Sequence, residues 1–283
     1  RLQRADGARR RHDGGGHVSR LAEDHDLIVA AVREGGALAL DFFRNGFEHW
    51  HKGPNDPVSE ADHAVDELLH QRLTTARPDY GWLSEETEDD PSRVERAAVW
   101  VVDPIDGTRA FIEKRKEFTV CVALVEGGRP TAAAVYNPAE DELFAATLGG
   151  GARLNGEPIR VSSAAGFEGA RLLTGRNLFK RAGPLDRPDQ VTIHMVNSIA
   201  YRMCLVAQGR YDACISLSGK SDWDIAAAEL ILAEAGGVVT DARSDDFIYN
   251  LPDPRHKSVI AAGPALHARI LQFLDRLDRP PGA

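Results

Sequence analysis

Residues 100–128 read WVVDPIDGTRAFIEKRKEFTVCVALVEGG. Both ends of this stretch are apolar runs of the kind that form buried β-strands, but polar residues and turn formers separate them. Proline interrupts a strand ladder, and aspartate and glycine are common where a strand turns into a helix. The pattern predicts a buried strand that stops at Pro104 and a polar turn after it. Such a turn is either an ordinary helix cap or part of a site.

The composition limits the classes of partner. The chain has 283 residues with a net charge of -9, from 34 basic and 43 acidic residues, which argues against a nucleic-acid-binding surface. No run of about 18 apolar residues occurs, so we expect no membrane partner. The three cysteines lack metal-ligand spacing and predict buried free thiols in a reducing, cytoplasmic compartment.

The chain is expected to have two halves and an extension. Residues 1–20 are rich in arginine and glycine without the apolar segment of a secretory signal, so we expect a disordered extension. Residues 21–160 form an N-terminal α+β half with most of the candidate ligands, and residues 161–283 form a C-terminal α/β half. No linker-like segment separates the halves, so we expect them to pack together with a cleft between them.

The periodicity of apolar residues places the main elements. Helical spacing runs from Glu23 to Phe43, and SEAD at 59–62 resembles a capping box that starts a helix reaching about Thr75. Residues 117–162 contain strand-like runs separated by turn signals and predict an antiparallel meander. Beyond Val161, strands alternate with helices, one of them in DWDIAAAELILAEAGG at 222–237. The order predicts an early helix pair, an antiparallel meander and a second half in which strands and helices alternate.

Four carboxylates lie at predicted chain turns. Asp103 and Asp106 flank Pro104, Glu85 follows a short buried run, and Asp224 stands at the start of a long apolar helix. Mg²⁺ is usually held by a few carboxylates together with water and substrate phosphate. A site with more than one ion would explain why acids gather despite their repulsion. We therefore expect these four carboxylates to converge on Mg²⁺.

The remaining residues of the turn have chemistry that suits phosphate transfer to water. The Thr108 hydroxyl can orient a nucleophilic water if its own proton goes to a carboxylate, for which Asp62 is the candidate. Gly107 leaves room for phosphate, and backbone N–H groups at a helix start can bind phosphate oxygens. The turn thus combines metal ligation, water positioning and phosphate binding.

Three segments, SEE at 84–86, WVVDPIDGT at 100–108 and DWDIAAAELILAEAGG at 222–237, resemble the signatures of the inositol monophosphatase superfamily, in the same order. The resemblance extends over roughly residues 23–274 and includes GGARLNGEPIRVS at 150–162. It implies a metal-dependent phosphomonoesterase with a layered α/β fold, αβαβα, together with two or three Mg²⁺ ions and a homodimer. It also assigns roles to individual residues of this chain.

The metal ligands implied by the resemblance are Glu85, Asp103, Asp106, Asp224 and the backbone carbonyl of Ile105. The implied catalytic residues are Thr108, Asp62 and Glu85. The implied substrate-binding residues are Ile105, Asp106, Gly107, Thr108 and Asp224. These assignments agree with the chemistry expected from the residue types alone.

The substrate is less well defined than the reaction. RAFIEKRKEFTV at 109–120 is similar to the 3'(2'),5'-bisphosphate nucleotidase branch (CysQ-type), which implies conversion of adenosine 3',5'-bisphosphate to AMP and phosphate. Phosphate esters of inositol, a sugar or histidinol are the alternative substrates. A protein that binds metal or phosphate without catalysis is a third alternative, although the intact set of predicted site residues argues against it.

Several polar residues near these motifs have two interpretations. VNSIAYR at 196–202 departs from the nucleotidase pattern, so Asn197, Ser198 and Arg202 either meet a second phosphate or base or belong to a helix cap. The basic run after Thr108, including Arg115, either attracts phosphate or is a solvated face. Lys52 likewise binds phosphate or is solvated.

Overall fold

The computed structural model describes residues 14–53, 56–175, 178–180 and 190–278. Helix α1 spans Gly14–Asn45, so the expectation of disorder is wrong for residues 14–20, and residues 1–13 of the expected extension lie outside the described residues. Strands β1, His49–Gly53, and β2, Asp56–Ser59, form an antiparallel hairpin that the sequence did not predict. Helix α2, Glu60–Ala76, then packs beside α1 and completes the predicted helix pair.

The first large sheet is a seven-stranded meander in which neighbours in the chain are neighbours in the sheet. All its pairs are antiparallel except the first, which is parallel. Its strands are β3 Gly81–Ser84, β4 Ala98–Asp106, β5 Thr119–Glu126, β6 Arg129–Asn137, β7 Glu142–Thr147, β8 Gly151–Leu154 and β9 Glu157–Pro158. A 3₁₀ helix, Pro91–Glu95, precedes β4, and helix α3, Thr108–Ile112, follows it.

The strand β4 passes through Pro104 and ends at Asp106, so the predicted stop at Pro104 is wrong. The pairing of β4 with β5 shifts between Asp103 and Asp106, where three steps on β4 oppose two on β5. One extra residue on one strand is a β-bulge, and a bulge removes the need for a ladder hydrogen bond at the proline. The strand therefore carries both carboxylates at its end.

The second sheet comes from the C-terminal part of the chain and has the strand order β11-β10-β12-β16-β14. Its strands are β10 Arg171–Thr174, β11 Thr192–His194, β12 Ala213–Ser216, β14 Val238–Thr240 and β16 Val259–Ala262. A short pair, β13 Lys220–Ser221 with β15 Arg255–His256, lies outside it. The helices of this part are α4 Ile199–Ala207, α5 Asp222–Glu234 and α6 Pro264–Asp278, and a 3₁₀ turn spans Leu178–Lys180.

Alternate residues of the strands build the layers. On β4, Trp100 and Val102 join α1 and α2 in one buried cluster, while Val99 and Val101 join α4 and α5 in another. The second sheet shares the α4–α5 cluster on one face and packs α6 on the other. A strand covered on both faces must be apolar throughout, which explains the unbroken run before Asp103. The predicted αβαβα layering is confirmed.

The predicted division into residues 21–160 and 161–283 stays a prediction. The proposed boundary falls between β9 and β10, and helix α5 from the second part packs directly on the first sheet. Among the helices of the described residues, none has the length and apolar character needed to cross a membrane.

Gly36 on α1 provides a test of how closely this helix approaches the first sheet. A Cβ atom there would lie 2.5 Å from Cδ1 of Tyr136 on β6. Replacing an exposed helical glycine with alanine usually stabilises a helix by about 1 kcal/mol, but overpacking costs about 1–3 kcal/mol. We expect Gly36→Ala to lower the free energy of unfolding, measured by urea denaturation. In a Tyr136→Ala background the same change should be neutral or stabilising. If the effects of the two substitutions on the free energy of unfolding were additive, the close contact would be contradicted.

Candidate active site

Two helix starts place two of the predicted carboxylates. Asp62 is the third residue of α2, where its Oδ2 accepts hydrogen bonds from the Ser59 N–H at 2.8 Å and the Ser59 hydroxyl at 2.5 Å. Asp224 has the same place in α5, and its Oδ2 accepts from the Ser221 N–H at 2.6 Å. Each carboxylate closes a capping box with one oxygen. The other oxygen is left for the site.

The bulge at the end of β4 delivers Asp103 and Asp106, and the chain then turns at Gly107. This glycine has φ of 100°, a left-handed value that suits glycine, and a Cβ would lie 2.7 Å from the Glu117 carbonyl oxygen. A side chain would therefore be strained and also crowded. The glycine permits the turn that places Thr108 at the start of α3.

Asp106 is held by the start of α4. The Ser198 hydroxyl and the Ala200 N–H each donate to its Oδ2 at 2.6 Å, and the Ile199 N–H lies 3.3 Å from its Oδ1. Ser198 is fully buried and also caps the helix by accepting from the Tyr201 N–H at 2.9 Å. Of its two interpretations, the cap is therefore the one the structure supports. Its role in fixing Asp106 was missed, because nothing in the sequence links residues so far apart.

Asp103, Asp106 and Asp224 converge. Each offers one carboxylate oxygen, and these atoms all lie within 4.8 Å of one another. Among the described residues, none donates a hydrogen bond to either oxygen of Asp103, although this side chain is buried. A buried carboxylate without donors is costly unless a cation or a proton compensates it. The geometry therefore fits a divalent metal ion, for which oxygen donors are the usual ligands.

Burial also raises the pKa values of these three aspartates. Burial raises the pKa of Asp103 well above its usual value, and the nearby charges of Glu85 and Asp106 raise it further. Burial also raises the pKa of Asp224 to about 6, with Asp106 adding to the effect. Burial raises the pKa of Asp106, which the hydrogen bond from Ser198 opposes. A bound cation would oppose these upward shifts, because it favours the charged form of each carboxylate.

Glu85 lies at the same edge of the sheet but outside the three-aspartate group. It directly follows β3, and because β3 and β4 are parallel their carboxyl ends meet at one edge. Burial raises the pKa of Glu85 to about 8, and Lys52 opposes this shift from 3.6 Å. The Lys52 ammonium also lies 2.8 Å from Glu86, so it is neither simply solvated nor directed only at phosphate. The side chain of Glu86 is buried.

Thr108 and Asp62 form the predicted pair. The Thr108 hydroxyl lies 3.0 Å from Asp62 Oδ1 and 3.0 Å from the Ile105 carbonyl oxygen. Burial raises the pKa of Asp62 to about 6, and its hydrogen bonds from Ser59 oppose this. A threonine hydroxyl that gives its hydrogen to Asp62 leaves its lone pairs for a water molecule. The pair can therefore orient a water and, through Asp62, favour its deprotonation.

A small cavity opens beside this pair. Its volume is about 200 Å³, which is sufficient for a phosphate group. The lining residues are Pro57, Glu85, Gly107, Thr108, Arg109 and Asn197. A divalent cation bound at the aspartates would polarise a phosphoryl group and lower the pKa of a water. The residues of this chain supply the ligands, the orienting hydroxyl and the space for phosphate.

Clustered carboxylates, an orienting hydroxyl and a cavity that can hold phosphate are the features expected of a metal-dependent phosphoric monoester hydrolase. A model described as the inositol monophosphatase family matches residues 21–278, and the chain belongs to that family. The chain is 34% identical over 246 residues to a protein named inositol-1-monophosphatase from Mesorhizobium japonicum, covering 79% of this chain and 87% of the relative. It is 33% identical over 227 residues to a protein named Nus factor SuhB from Escherichia coli K12, covering 76% and 84%.

The fold agrees with this assignment. The crystal structure of extragenic suppressor protein suhB from Bartonella henselae superposes with a TM-score of 0.78 at 28% identity, covering 89% of this chain and 98% of that one. The resemblance seen in the three sequence segments is thereby confirmed at the level of the family. The more specific likeness to the nucleotidase branch is not distinguished by these relatives.

Asp103 provides a test of the metal centre. Asp103→Asn replaces a predicted metal ligand, and it also removes a buried carboxylate that has no hydrogen-bond donor among the described residues. We expect turnover with Mg²⁺ to be nearly abolished, while the free energy of unfolding of the metal-free protein rises by about 0.5–2 kcal/mol. Phosphate release and urea denaturation in a chelator measure the two effects. Asp26→Asn, on an exposed side chain of α1, is the control and should change neither. Normal turnover in Asp103→Asn would refute the metal site.

The stability of the metal-free protein should depend on pH. The folded-state pKa values of Asp224 and Glu85, about 6 and about 8, lie above the values near 4 of the unfolded chain. Between these limits the folded state binds more protons, so these groups make stability fall as the pH rises from about 4 to about 8.

Added Mg²⁺ should offset this loss, because the ion replaces the protons at high pH. The rise in Tm on adding Mg²⁺, measured by calorimetry, should therefore be larger at pH 8 than at about pH 5. Asp224→Asn should reduce the difference between the two pH values. An equal rise at both values in the unmodified chain would contradict proton–metal competition.

Proposed function

We propose that the chain is a Mg²⁺-dependent 3'(2'),5'-bisphosphate nucleotidase that converts adenosine 3',5'-bisphosphate to AMP and phosphate. The observation that supports this choice is a second, larger cavity of about 580 Å³ next to the catalytic turn. Asn197 lines both cavities, so they are neighbours in the same cleft. A substrate phosphate in the small cavity would direct the rest of the molecule towards the large one.

The large cavity has cationic groups suited to a second anion. Arg202 and Arg115 both line it. The Arg202 guanidinium donates to the Asn197 carbonyl oxygen at 2.8 Å, while its buried Nε has no partner among the described residues. The Arg115 Nε lies 3.0 Å from Glu113, so its charge is already partly compensated. Arg202 is therefore the residue best placed to select a second phosphate.

The same cavity has apolar walls. Met195 and Leu217 line it with exposed fractions of 62% and 47%, so both present apolar surface to a bound molecule. An aromatic base could cover these side chains, whereas a polyol such as inositol would place hydroxyl groups against them. The charge of Arg202 favours a substrate with a second phosphate, and the apolar surface at Met195 favours one with an aromatic base.

Inositol 1-phosphate is the second candidate substrate. It is favoured by the relatives, because the Mesorhizobium japonicum protein carries the name inositol-1-monophosphatase at 34% identity. Both candidates share the same reaction at the metal centre. They differ only in what the large cavity must accommodate.

The cofactor, assembly and location are also proposals. The oxygen ligands favour Mg²⁺, and two or three ions would balance the charge of the carboxylates. The homodimer is an expectation from the family resemblance. The free, buried state of Cys121, Cys204 and Cys214 is consistent with a reducing, cytoplasmic compartment. We further propose that neither nucleic acid nor membrane is a partner.

A substrate panel tests the proposal. With Mg²⁺, we expect phosphate release to be most efficient for adenosine 3',5'-bisphosphate, weaker for adenosine 3'-monophosphate, and weakest for inositol 1-phosphate, histidinol phosphate and sugar phosphates. Arg202→Gln should raise the KM for the bisphosphate about tenfold or more, because a charge-assisted contact is lost. The adenosine 3'-monophosphate, which lacks the second phosphate, is the matched control and should be affected much less.

Three other outcomes would count against the proposal in different ways. Preference for inositol 1-phosphate would replace the nucleotidase by the second candidate. Equal loss with both adenosine substrates in Arg202→Gln would remove the second-phosphate role of Arg202. Tight binding without turnover of any substrate would support a binding protein.

A further inference from the structure

Arg93 is a buried arginine outside the catalytic cleft. Only 1% of its surface is exposed, and its Nε and Nη2 lie 2.6 and 2.8 Å from the two oxygens of Asp89. Such a two-point contact fixes the orientation of both groups. Asp89 belongs to the segment after β3 that begins with Glu85. Arg93 therefore holds the far end of the segment that carries this metal ligand.

The same guanidinium holds a distant loop, residues 247–256. Its Nη1 donates to Asn250 Oδ1 at 2.8 Å and to the Leu251 carbonyl at 3.2 Å. The Asn250 amide returns a bond of 3.3 Å to the Arg93 carbonyl. Asn250 is 157 residues from Arg93 in the chain, so these contacts join the 3₁₀ helix before β4 to the C-terminal part.

The 247–256 loop in turn supports the start of α5. The Asn250 N–H lies 2.7 Å from Asp222 Oδ2, and His256 Nε2 lies 2.7 Å from Asp222 Oδ1. The Asp222 N–H donates to the Pro254 carbonyl at 2.8 Å. Asp222 is fully buried, is the first residue of α5 and stands two residues before Asp224. Its contacts therefore set the position from which Asp224 reaches the metal site.

We propose that Arg93 and Asp222 are positioning residues, and that the contacts Asp89–Arg93–Asn250–Asp222 hold Glu85 and Asp224 at the spacing that Mg²⁺ binding requires. This inference rests on the metal site proposed above. Ligands from two separate parts of a fold must be held closely for a small ion with strict geometry. Partners that orient metal ligands typically affect metal affinity by 10–100-fold.

Asn250→Gly is the most informative variant. It removes both side-chain bonds to Arg93 but keeps the N–H that binds Asp222. Asn250 has φ of 59°, which glycine adopts without strain, so the loop can keep its path. Asp253→Ala is the control, because Asp253 lies in the same loop, is exposed and pairs with Arg255, two residues further along the chain. Arg93→Ala and Asp222→Ala are stronger forms of the same change.

The dissociation constant for Mg²⁺, measured by calorimetry, separates positioning from simple stabilisation. We expect about a tenfold or larger increase in Asn250→Gly and no change in Asp253→Ala. The kcat of Asn250→Gly should recover at saturating Mg²⁺, because the metal ligands and Thr108 are intact. Thermal unfolding in a chelator checks that the variant is folded.

Unchanged Mg²⁺ affinity in Asn250→Gly would overturn the proposal and leave Arg93 as a stabilising residue only. If Arg93→Ala or Asp222→Ala folds, it must show the same increase in the dissociation constant for Mg²⁺. Wild-type affinity in either folded variant would also overturn the proposal. Failure of the unmodified chain to bind Mg²⁺ would instead refute the metal site itself. The two failures are therefore distinguishable.

Discussion

The mutual repulsion of buried carboxylates is the interaction on which the rest of the site depends. Asp103 has no hydrogen-bond donor in the described part of the chain, and Asp106 and Asp224 lie beside it. Taking such charges out of water is unfavourable unless they are compensated. A fold with this arrangement must fix the position of each acid. In this chain the bulged strand β4 and the starts of helices α2, α4 and α5 do so.

The sequence predicted which acids form the group better than it predicted the residues that hold them in place. Asp103, Asp106 and Asp224 were identifiable because polar residues interrupt apolar runs, and SEAD could be read as a capping box because all four residues are adjacent. Periodicity predicted most helices and strands, and the layered arrangement was implied by the family resemblance. By contrast, the support of Asp106 by Ser198 joins residues 92 positions apart, and local patterns carry no information about such a contact. The path of β4 through Pro104 was mispredicted because a bulge depends on the partner strand.

The large cavity explains why the reaction could be assigned more firmly than the substrate. The metal centre uses short motifs whose chemistry is defined by residue type. The cavity is assembled from Arg115 after the catalytic turn, Arg202 on α4 and apolar residues of the second sheet and α6. Of the basic run after Thr108, only Arg115 lines it, whereas Lys114 lies against the Phe43 and Phe47 rings. Which basic residue reaches the cavity therefore depends on the tertiary structure and not on the local sequence.

Asp62 and Asp224 each close a capping box with one carboxylate oxygen and have the other oxygen at the proposed site, so fraying of either helix start would disturb that site. Helix ends open more readily than the body of a domain, with a free-energy cost far below that of global unfolding. Opening of the first turn of α2 would separate Asp62 from Ser59 and from Thr108, which would keep only its contact with the Ile105 carbonyl oxygen. Opening of the first turn of α5 would move Asp224 away from the other two aspartates. With the proposed roles of Asp62 and Asp224, activity depends on the integrity of two single helical turns, and we expect heat to abolish activity before either sheet unfolds.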